Sequence, residues 1–322
     1  MQHFLSVKDV TNLDLLIAQA LAYKESPAKR CHLGAGKTLG MLFLNPSMRT
    51  RLSTQVAASN LGMGSIVFNV DREGWKLEFE DGAIMNGDTV EHVKDAAPIL
   101  GKYFDILAIR TFPSLHDREE DYSEKVIQQF VQHAGIPVLS LESATLHPLQ
   151  SLTDLVTMEE WMQKHPIGHR PKVVLSWAPH VKPLPQCVAN SFAQWVGAWG
   201  KADLVVTHPK GFELDEQFTQ GAQVVYDQDE ALKDADFVYV KNWSSYHDYG
   251  AVLTSAGDDW MLTNRKLELT RNARVMHCLP VRRNVELSDE VLDGPHSLVT
   301  EEAGNRVWAA QAVLSSILEH LV

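Results

Sequence analysis

The chain has 322 residues, of which 45% are hydrophobic and 22% charged, and its formal net charge is −12 at pH 7. This length and composition predict a globular protein of about two domains. The acidic balance, with no basic tract to offset it, argues against a nucleic-acid-binding surface.

The first half of the chain alternates between apolar runs and helical patterns. A first helix is predicted at residues 6–25, where Ser6 can cap the N-terminus. Four strands are predicted at residues 39–44, 65–70, 105–109 and 136–141. Between them, helices are predicted at residues 47–62, 90–101 and 122–133. Strands that alternate with helices at this spacing indicate parallel βαβ units and an α/β sheet.

The second half repeats this alternation after a helix at about 149–164 and a polar linker at 164–170. Its strands are predicted at residues 172–177, 202–207, 223–226, 235–240 and 273–277. The predicted fold class is therefore α/β, with two doubly wound parallel-sheet domains and a cleft between them. The domains are predicted at residues 1–150, joined by a C-terminal helix at 304–322, and at residues 151–303.

The last helix carries an apolar stripe, which is predicted to pack back on the first domain. The stripe recurs at spacings of three and four residues and consists of Val307, Ala310, Leu314, Ile317 and Leu321.

Motifs for several other kinds of site are missing. The three cysteines, Cys31, Cys187 and Cys278, have no C-x-x-C spacing, which argues against a disulfide framework and a structural zinc site. No G-x-G-x-x-G follows the first strand of either half, so a dinucleotide fold with NAD is a weak alternative. The absence of G-x-x-x-x-G-K-S/T disfavours a P-loop nucleotide hydrolase.

The sequence also shows no targeting or membrane signal. The first ten residues lack the basic segment and long apolar core of a signal peptide. No apolar run approaches the roughly 18 residues needed to span a bilayer. We therefore expect a reduced cytoplasmic protein that does not act on membranes.

Residues 45–51 resemble the start of an anion-binding helix. An apolar run arrives at this polar turn, Ser47 can cap the helix that follows, and Arg49 and Thr50 lie in its first turn. Cations at a helix N-terminus oppose the macrodipole, whereas free backbone N–H groups there attract anions. A bound phosphate would explain the arginines because a guanidinium matches its oxygens. The alternative is two solvated arginines on an exposed turn.

Polar side chains recur at the predicted carboxyl ends of the strands, where open α/β sheets bind ligands. Each alone could be a surface cap, but their number in both halves favours a ligand-binding face. They are Arg110, Glu142, His147, His180, Lys241, His277 and Arg282, together with Arg306 at the start of the last helix.

Three motifs resemble the signatures of the carbamoyltransferases and occur in the order typical of that family. They are Ser-Met-Arg-Thr-Arg at 47–51, His-Pro-Leu-Gln at 147–150 and His-Cys-Leu-Pro at 277–280. The resemblance covers essentially the whole chain. Met48 and the loop at 74–78 resemble the branch that acts on N-acylated ornithines.

The resemblance implies a role for each matching residue. The carbamoyl-phosphate site would comprise Ser47, Met48, Arg49, Thr50, Trp75, Arg110, His147, Gln150, Cys278, Leu279 and Arg306. The acylornithine site would comprise Glu142, His180, Lys241, Arg282 and Val90. The catalytic residues would be Arg110, His147 and Thr50, which stabilise the oxyanion, and Cys278, which contacts the substrate rather than attacking it. No metal, cofactor or covalent enzyme intermediate is implied.

The implied reaction transfers the carbamoyl group of carbamoyl phosphate to the δ-amine of an acylated ornithine, in arginine biosynthesis. The family also implies a homotrimer in which Trp75 reaches a neighbouring subunit's site. The alternatives are the N-acetylornithine or ornithine reaction and a non-catalytic carbamoyl-phosphate-binding subunit.

Val90 bears on the choice of acyl group. N-acetylornithine enzymes carry a glutamate where this sequence has Val90, and a glutamate there would repel the second carboxylate of a succinyl group. Valine therefore favours N2-succinyl-L-ornithine as substrate, with N2-succinyl-L-citrulline as product. Lys182, near His180 in the sequence, is a candidate partner for the succinyl carboxylate.

Overall fold

The computed structural model describes residues 1–252 and 257–321. Val322, the last residue of the predicted C-terminal helix, lies outside the described residues. The chain forms two compact units: the first comprises Met1–Ser114, Glu119–Leu149 and Arg306–Val322, and the second comprises Leu115–Arg118 and Gln150–Asn305.

The first unit is built on a four-stranded parallel sheet in the order β2-β1-β5-β6. Two short strands, β3 and β4, pair separately. The strands are β1 (Thr38–Phe43), β2 (Gly64–Asn69), β3 (Leu77–Glu78), β4 (Glu91–His92), β5 (Ile106–Arg110) and β6 (Val138–Glu142). Its helices are α1 (Leu13–Glu25), α2 (Met48–Asn60), α3 (Val70–Glu73), α4 (Val93–Tyr103), α5 (Arg118–Tyr122) and α6 (Lys125–His133), of which α5 starts at a residue of the second unit. Helix α7 (Pro148–Lys164) begins in the first unit, and its residues from Gln150 onward belong to the second.

The second unit contains a five-stranded parallel sheet in the order β11-β10-β7-β8-β9. Its strands are β7 (Lys172–Trp177), β8 (Asp203–Thr207), β9 (Gln223–Val225), β10 (Phe237–Lys241) and β11 (Arg274–Met276). The helices are α8 (Cys187–Trp199), α9 (Glu216–Thr219), α10 (Gln228–Leu232), α11 (Gly257–Trp260), α12 (Asn264–Leu267) and α13 (Asp289–Leu292). Helix α14 (Val299–Leu321) begins in this unit, and its residues from Arg306 onward belong to the first. The predicted α/β class, with two parallel sheets and helices between the strands, is confirmed.

The central strands are buried on both faces, as parallel sheets require. All five residues of β5 and of β6 are buried, which is why these strands read as continuous apolar runs. Edge strand β2 instead alternates exposed and half-buried residues. Of the helices within the described ranges, none is both long and apolar enough to cross a membrane.

The predicted helix at 6–25 is divided in the structure. Ser6 caps a short 3₁₀ turn at Val7–Asp9, and the side chain of Asp9 accepts a hydrogen bond from the Ser6 backbone N–H. A new N-cap follows at Asn12, whose side chain accepts from Leu15 N at 2.9 Å and starts α1. Two competing caps within seven positions thus split one apolar pattern into two elements.

The C-terminal part of α14 packs on the first unit, as predicted. Gln311 accepts from Asn60 Nδ2 at 2.9 Å and donates to Pro27 O at 2.7 Å, and Tyr23 OH donates to Ser315 Oγ at 2.8 Å. Most of the predicted stripe is buried, but Leu321 at its end is 39% exposed.

Candidate functional site

The start of α2 forms one part of the candidate site in the first unit. Ser47 caps the helix and its Oγ accepts from Thr50 N at 3.4 Å. Arg306 reaches this helix start from α14 and donates to Thr50 Oγ1 at 2.7 Å. Thr50 and Arg306 are 1% and 7% exposed, and the first turn contains no acidic residue. A helix N-terminus beside guanidinium groups is suited to bind a phosphate.

Arg110, Glu142 and His147 form a buried cluster at the carboxyl edge of the same sheet. Arg110 ends β5, Glu142 ends β6, and the two are register partners. Glu142 Oε2 accepts from Arg110 Nη1 and lies 3.3 Å from His147 Nε2. One carboxylate thus orients two groups that can donate hydrogen bonds to a developing oxyanion.

The Arg110 guanidinium retains bonding capacity beyond Glu142. Its Nε is buried and has no hydrogen-bond partner among the described residues. A buried N–H without a partner is costly, so a ligand oxygen there would satisfy it. Because β1, β5 and β6 are parallel, the α2 start and this cluster follow strands that end at the same edge of the sheet.

Trp75 and Val90 lie on an exposed loop next to β3 and β4, and their described hydrogen bonds stay within that loop. Trp75 Nε1 donates to Glu91 Oε2 at 2.8 Å, and Val90 N donates to Lys76 O at 2.9 Å. Trp75 is 54% exposed and Val90 is 62% exposed. The structure of this unit does not bring them into hydrogen-bond contact with the α2 start or Arg110.

The His277–Pro280 motif follows β11 in the second unit and is held by a buried contact between His277 and Glu286. His277 Nε2 lies 3.3 Å from Glu286 Oε1, and His277 Nδ1 accepts from Leu279 N at 2.8 Å. Burial alone would raise the pKa of Glu286, but the hydrogen bond from His277, the charge of Lys241 and the bond from the Arg282 backbone lower it to about 2. Glu286 therefore stays ionised and fixes the turn that presents half-buried Cys278 and Leu279.

Lys241 and Arg282 form a cationic group beside His277 and Glu286, and His180 lies next to them. Arg282 Nε donates to His180 Nε2 at 3.0 Å, and Arg282 N donates to Glu286 Oε2 at 2.8 Å. Burial lowers the pKa of His180, and the charges of Lys241 and Arg282 add to the effect. His180 is thus a neutral acceptor that orients Arg282, and the two cations are suited to a carboxylate ligand.

Gln150 and the His277 motif are joined by Glu302, which the sequence analysis missed. Gln150 Nε2 donates to Glu302 Oε1 at 2.9 Å and to Asp154 Oδ1 at 2.7 Å. The other Glu302 oxygen accepts from His277 N at 2.8 Å. Glu302 is fully buried. In the sequence it reads only as an ordinary acidic residue in the first turn of a helix, which gives no signal of this contact.

Two family models match the chain. The model described as "Aspartate/ornithine carbamoyltransferase, carbamoyl-P binding domain" matches residues 2–160. The model described as "Aspartate/ornithine carbamoyltransferase, Asp/Orn binding domain" matches residues 186–317.

Similar proteins match over the full length. N-succinylornithine carbamoyltransferase of Bacteroides fragilis is 48% identical over 323 residues, covering 100% of both chains. N-acetylornithine carbamoyltransferase of Xanthomonas campestris is 32% identical, covering 99% of this chain and 98% of that one.

A crystal structure of an N-acetyl-L-ornithine transcarbamylase variant with valine in place of a glutamate matches with a TM-score of 0.91 and 33% identity, covering 98% of this chain and 100% of that one. It is complexed with carbamyl phosphate and N-succinyl-L-norvaline, as are variants with alanine or proline in place of the same glutamate.

Proposed function

Since the chain belongs to the aspartate/ornithine carbamoyltransferase family, we propose that it transfers the carbamoyl group of carbamoyl phosphate to the δ-amine of N2-succinyl-L-ornithine. The products are N2-succinyl-L-citrulline and phosphate. The full-length similarity to the N-succinylornithine carbamoyltransferase of Bacteroides fragilis carries this proposal. The formation of a ureido group on an ornithine derivative is a step of arginine biosynthesis.

The phosphate half of carbamoyl phosphate is assigned to the α2 start. Its oxygens accept from the backbone N–H groups and side chains of the first turn and from Arg306, which the bond to Thr50 already orients. The proposed phosphate ligands are Ser47, Met48, Arg49, Thr50 and Arg306. The positive charges of Arg49 and Arg306 also stabilise the leaving phosphate dianion.

The carbamoyl half is assigned to Arg110 and His147, with Gln150, Cys278 and Leu279 as further contacts. The δ-ammonium of the substrate first loses one proton to solvent. The neutral nitrogen then forms a bond to the carbamoyl carbon while the carbonyl π electrons move to oxygen. Donors from Arg110, His147 and Thr50 stabilise that oxyanion. The bond between the carbamoyl carbon and the phosphate oxygen then breaks and the carbonyl re-forms. The nitrogen passes its extra proton to the leaving phosphate. Positioning of the two substrates supplies much of the rate.

The acylornithine is assigned to Glu142, His180, Lys241, Arg282 and Val90. The cationic group of the second unit supports this assignment, because Lys241 and Arg282 complement a substrate that carries two carboxylates. Lys182 is exposed, and its backbone N–H donates to His180 Nδ1, which places it next to the cationic group. It therefore remains a candidate ligand of the succinyl carboxylate.

The preference for succinyl over acetyl is assigned to Val90. Structures of an N-acetyl-L-ornithine transcarbamylase in which a glutamate is replaced by valine, proline or alanine bind a succinyl ligand, which supports a steering role for an uncharged residue. A second carboxylate near a glutamate is disfavoured by like-charge repulsion.

Replacing Val90 with glutamate should therefore raise the ratio of kcat/KM for N-acetylornithine over N-succinylornithine by about tenfold or more, a free-energy change of about 1.4 kcal/mol. Steady-state kinetics with both substrates measure this ratio. Val90→Gln is the control, because glutamine matches glutamate in size but is uncharged, and it should change this ratio little. An unchanged ratio in Val90→Glu would contradict the steering role.

We also propose a homotrimer that buries an apolar face of the first unit. Met48, Leu52 and Val56 form an exposed stripe along α2, at 69%, 55% and 47% exposure. Ile66 on the adjoining strand β2 is 56% exposed. Contiguous exposed apolar side chains of this kind mark protein interfaces. Trp75, half exposed on its loop, is assigned to the neighbouring subunit's site.

Leu52→Asp is expected to dissociate the trimer into 36.0 kDa chains and to lower kcat, since a charge would be buried in the interface. Sedimentation velocity measures the mass and the activity assay measures kcat. Leu15→Asp changes a similarly exposed leucine on α1, at 65% exposure, and should leave the assembly intact. A trimer that persists in Leu52→Asp would exclude this face.

The three cysteines support a reducing compartment, and we propose the cytoplasm. Cys31, Cys187 and Cys278 all lie within the described residues, and none of them is in a disulfide there. Structural disulfides are typical of secreted proteins, whereas free cysteines are typical of reducing compartments.

One assay tests the proposed activity. Carbamoyl phosphate is offered with N-succinylornithine, N-acetylornithine, ornithine or aspartate, and phosphate release and ureido product are measured. The greatest kcat/KM is expected for N-succinylornithine. Greatest turnover of another amine would replace the proposed substrate, and turnover of none would favour a carbamoyl-phosphate-binding subunit.

A further inference from the structure

His147 follows a four-residue turn, 143–146, that connects β6 to α7. The turn is closed by a bond from Ser143 N to Leu146 O at 2.8 Å, and Leu146 N donates to Ser143 Oγ at 3.2 Å. Glu142 precedes this turn and lies beside the His147 imidazole. The orientation of His147 toward Glu142 and Arg110 therefore depends on the geometry of the turn.

The carboxylate of Glu124 binds this turn through four hydrogen bonds. It accepts from Thr145 N and Ser143 Oγ at 2.7 Å each, from Ala144 N at 3.2 Å and from Thr145 Oγ1 at 2.5 Å. The Ser143 hydroxyl thus donates to Glu124 while it accepts from Leu146 N, one residue before His147. A continuous path of hydrogen bonds therefore joins the Glu124 carboxylate, through Ser143 Oγ, to the backbone N–H of Leu146.

The backbone conformation of Glu124 is unusual for a residue other than glycine. Its φ of 53° lies in the left-handed region, which residues other than glycine seldom adopt, and it immediately precedes α6. Such conformations persist where surrounding contacts hold them, and they concentrate at functional sites. The four bonds to the turn are contacts that hold Glu124 in place.

Burial raises the pKa of the Glu124 carboxyl, and the bonds from Thr145, Ser143 and Ala144 oppose that effect. Without these donors the partly buried carboxylate would be poorly solvated. Each partner therefore depends on the other: the turn solvates the carboxylate and the carboxylate shapes the turn.

We propose that Glu124 is a positioning residue for carbamoyl transfer, because its carboxylate shapes the turn that holds His147 beside Glu142 and Arg110. This role rests on the proposed function of His147. Glu124 does not touch the reacting atoms. It acts through Ser143, Thr145 and the turn, so its removal affects the orientation of a transition-state donor more than substrate affinity.

The test compares Glu124→Ala and Glu124→Gln with the wild-type protein. Glu124→Ala is expected to lower kcat, per folded protein, at least tenfold while KM for each substrate changes less than threefold. Glu124→Gln keeps one acceptor oxygen and should give an intermediate kcat. Glu119→Gln changes an exposed carboxyl on the preceding helix α5 and should leave kcat and both KM values unchanged.

A spectroscopic measurement reads the imidazole directly and needs no turnover. In protein carrying ¹³C-labelled histidine, the His147 signal is assigned by its loss in His147→Asn. That signal should shift or broaden in Glu124→Ala and stay in place in Glu119→Gln. If Glu124→Ala does not fold, Ser143→Ala removes a single hydroxyl of the path and should move the same signal and lower kcat to a smaller extent.

Two failures are distinguishable. A folded Glu124→Ala with kcat within twofold of wild type and an unmoved His147 signal overturns the role of Glu124. A wild-type protein that carbamoylates none of the tested amines overturns the proposed function instead.

Discussion

Replacing Arg110 with lysine is expected to lower kcat for carbamoyl transfer by about 100-fold, the effect of losing one preorganised oxyanion donor. Lysine keeps the charge that Glu142 needs, so the buried pair survives. It lacks the planar fork through which Arg110 can bond Glu142 and a ligand together. The Nε of Arg110, which has no hydrogen-bond partner among the described residues, has no counterpart on a lysine side chain.

Steady-state kinetics with saturating carbamoyl phosphate measure this change in kcat. Arg265→Lys, on an exposed arginine of α12, is the matched control and should retain wild-type kcat. Thermal unfolding of both variants separates a loss of chemistry from a loss of fold. An Arg110→Lys enzyme within threefold of wild type would remove Arg110 from the transition-state contacts.

Replacing Glu286 with glutamine is expected to lower the free energy of unfolding at pH 7 by about 3 kcal/mol. The pKa of this carboxyl is about 2 in the folded chain against an ordinary value of 4.5. Because the unfolded chain takes up the proton first as the pH falls, the stabilisation is complete above about pH 5 and is lost as the pH falls toward 2. The same change should raise KM for the acylornithine, since Glu286 also holds the backbone of Arg282.

Urea unfolding at pH 7, 5 and 4 tests both the size and the sign of this effect. The difference between wild type and Glu286→Gln should be greatest at pH 7 and shrink at pH 4. Glu268→Gln, which changes an exposed carboxyl, provides the baseline and should be within about 0.5 kcal/mol of wild type at each pH. A Glu286→Gln difference that grows on acidification would contradict the assigned pKa.

Local pattern was sufficient for most of the elements. The central strands of both sheets could be predicted because continuous apolar runs bounded by turn residues are what a buried parallel strand requires. The break between the 3₁₀ turn and α1 was not predicted, because an apolar helical pattern does not show whether Ser6 or Asn12 will cap the helix. The α2 stripe shows a second limit of prediction from sequence. The spacing of Met48, Leu52 and Val56 predicts an apolar helix face but not whether other parts of the same chain pack against it. In the single chain that face is exposed.

The candidate site divides in the same way. The start of α2 was identifiable because cap, arginines and preceding strand lie within a few residues. Glu302, Glu286 and Glu124 gave no comparable signal, because each looks like an ordinary acidic residue until its partners are known. Glu302 is 152 residues from Gln150 and 25 from His277.

By itself, the sequence determined the α/β class, the two parallel sheets and the phosphate-type helix start, because each depends on neighbours along the chain. Only the tertiary structure decided which carboxylates orient the other candidate site residues within each unit. Glu142 joins Arg110 and His147, Glu302 joins Gln150 to the His277 motif, and Glu124 holds the turn before His147. These pairings depend on burial and on distances between remote segments, which exist only once the sheets have formed.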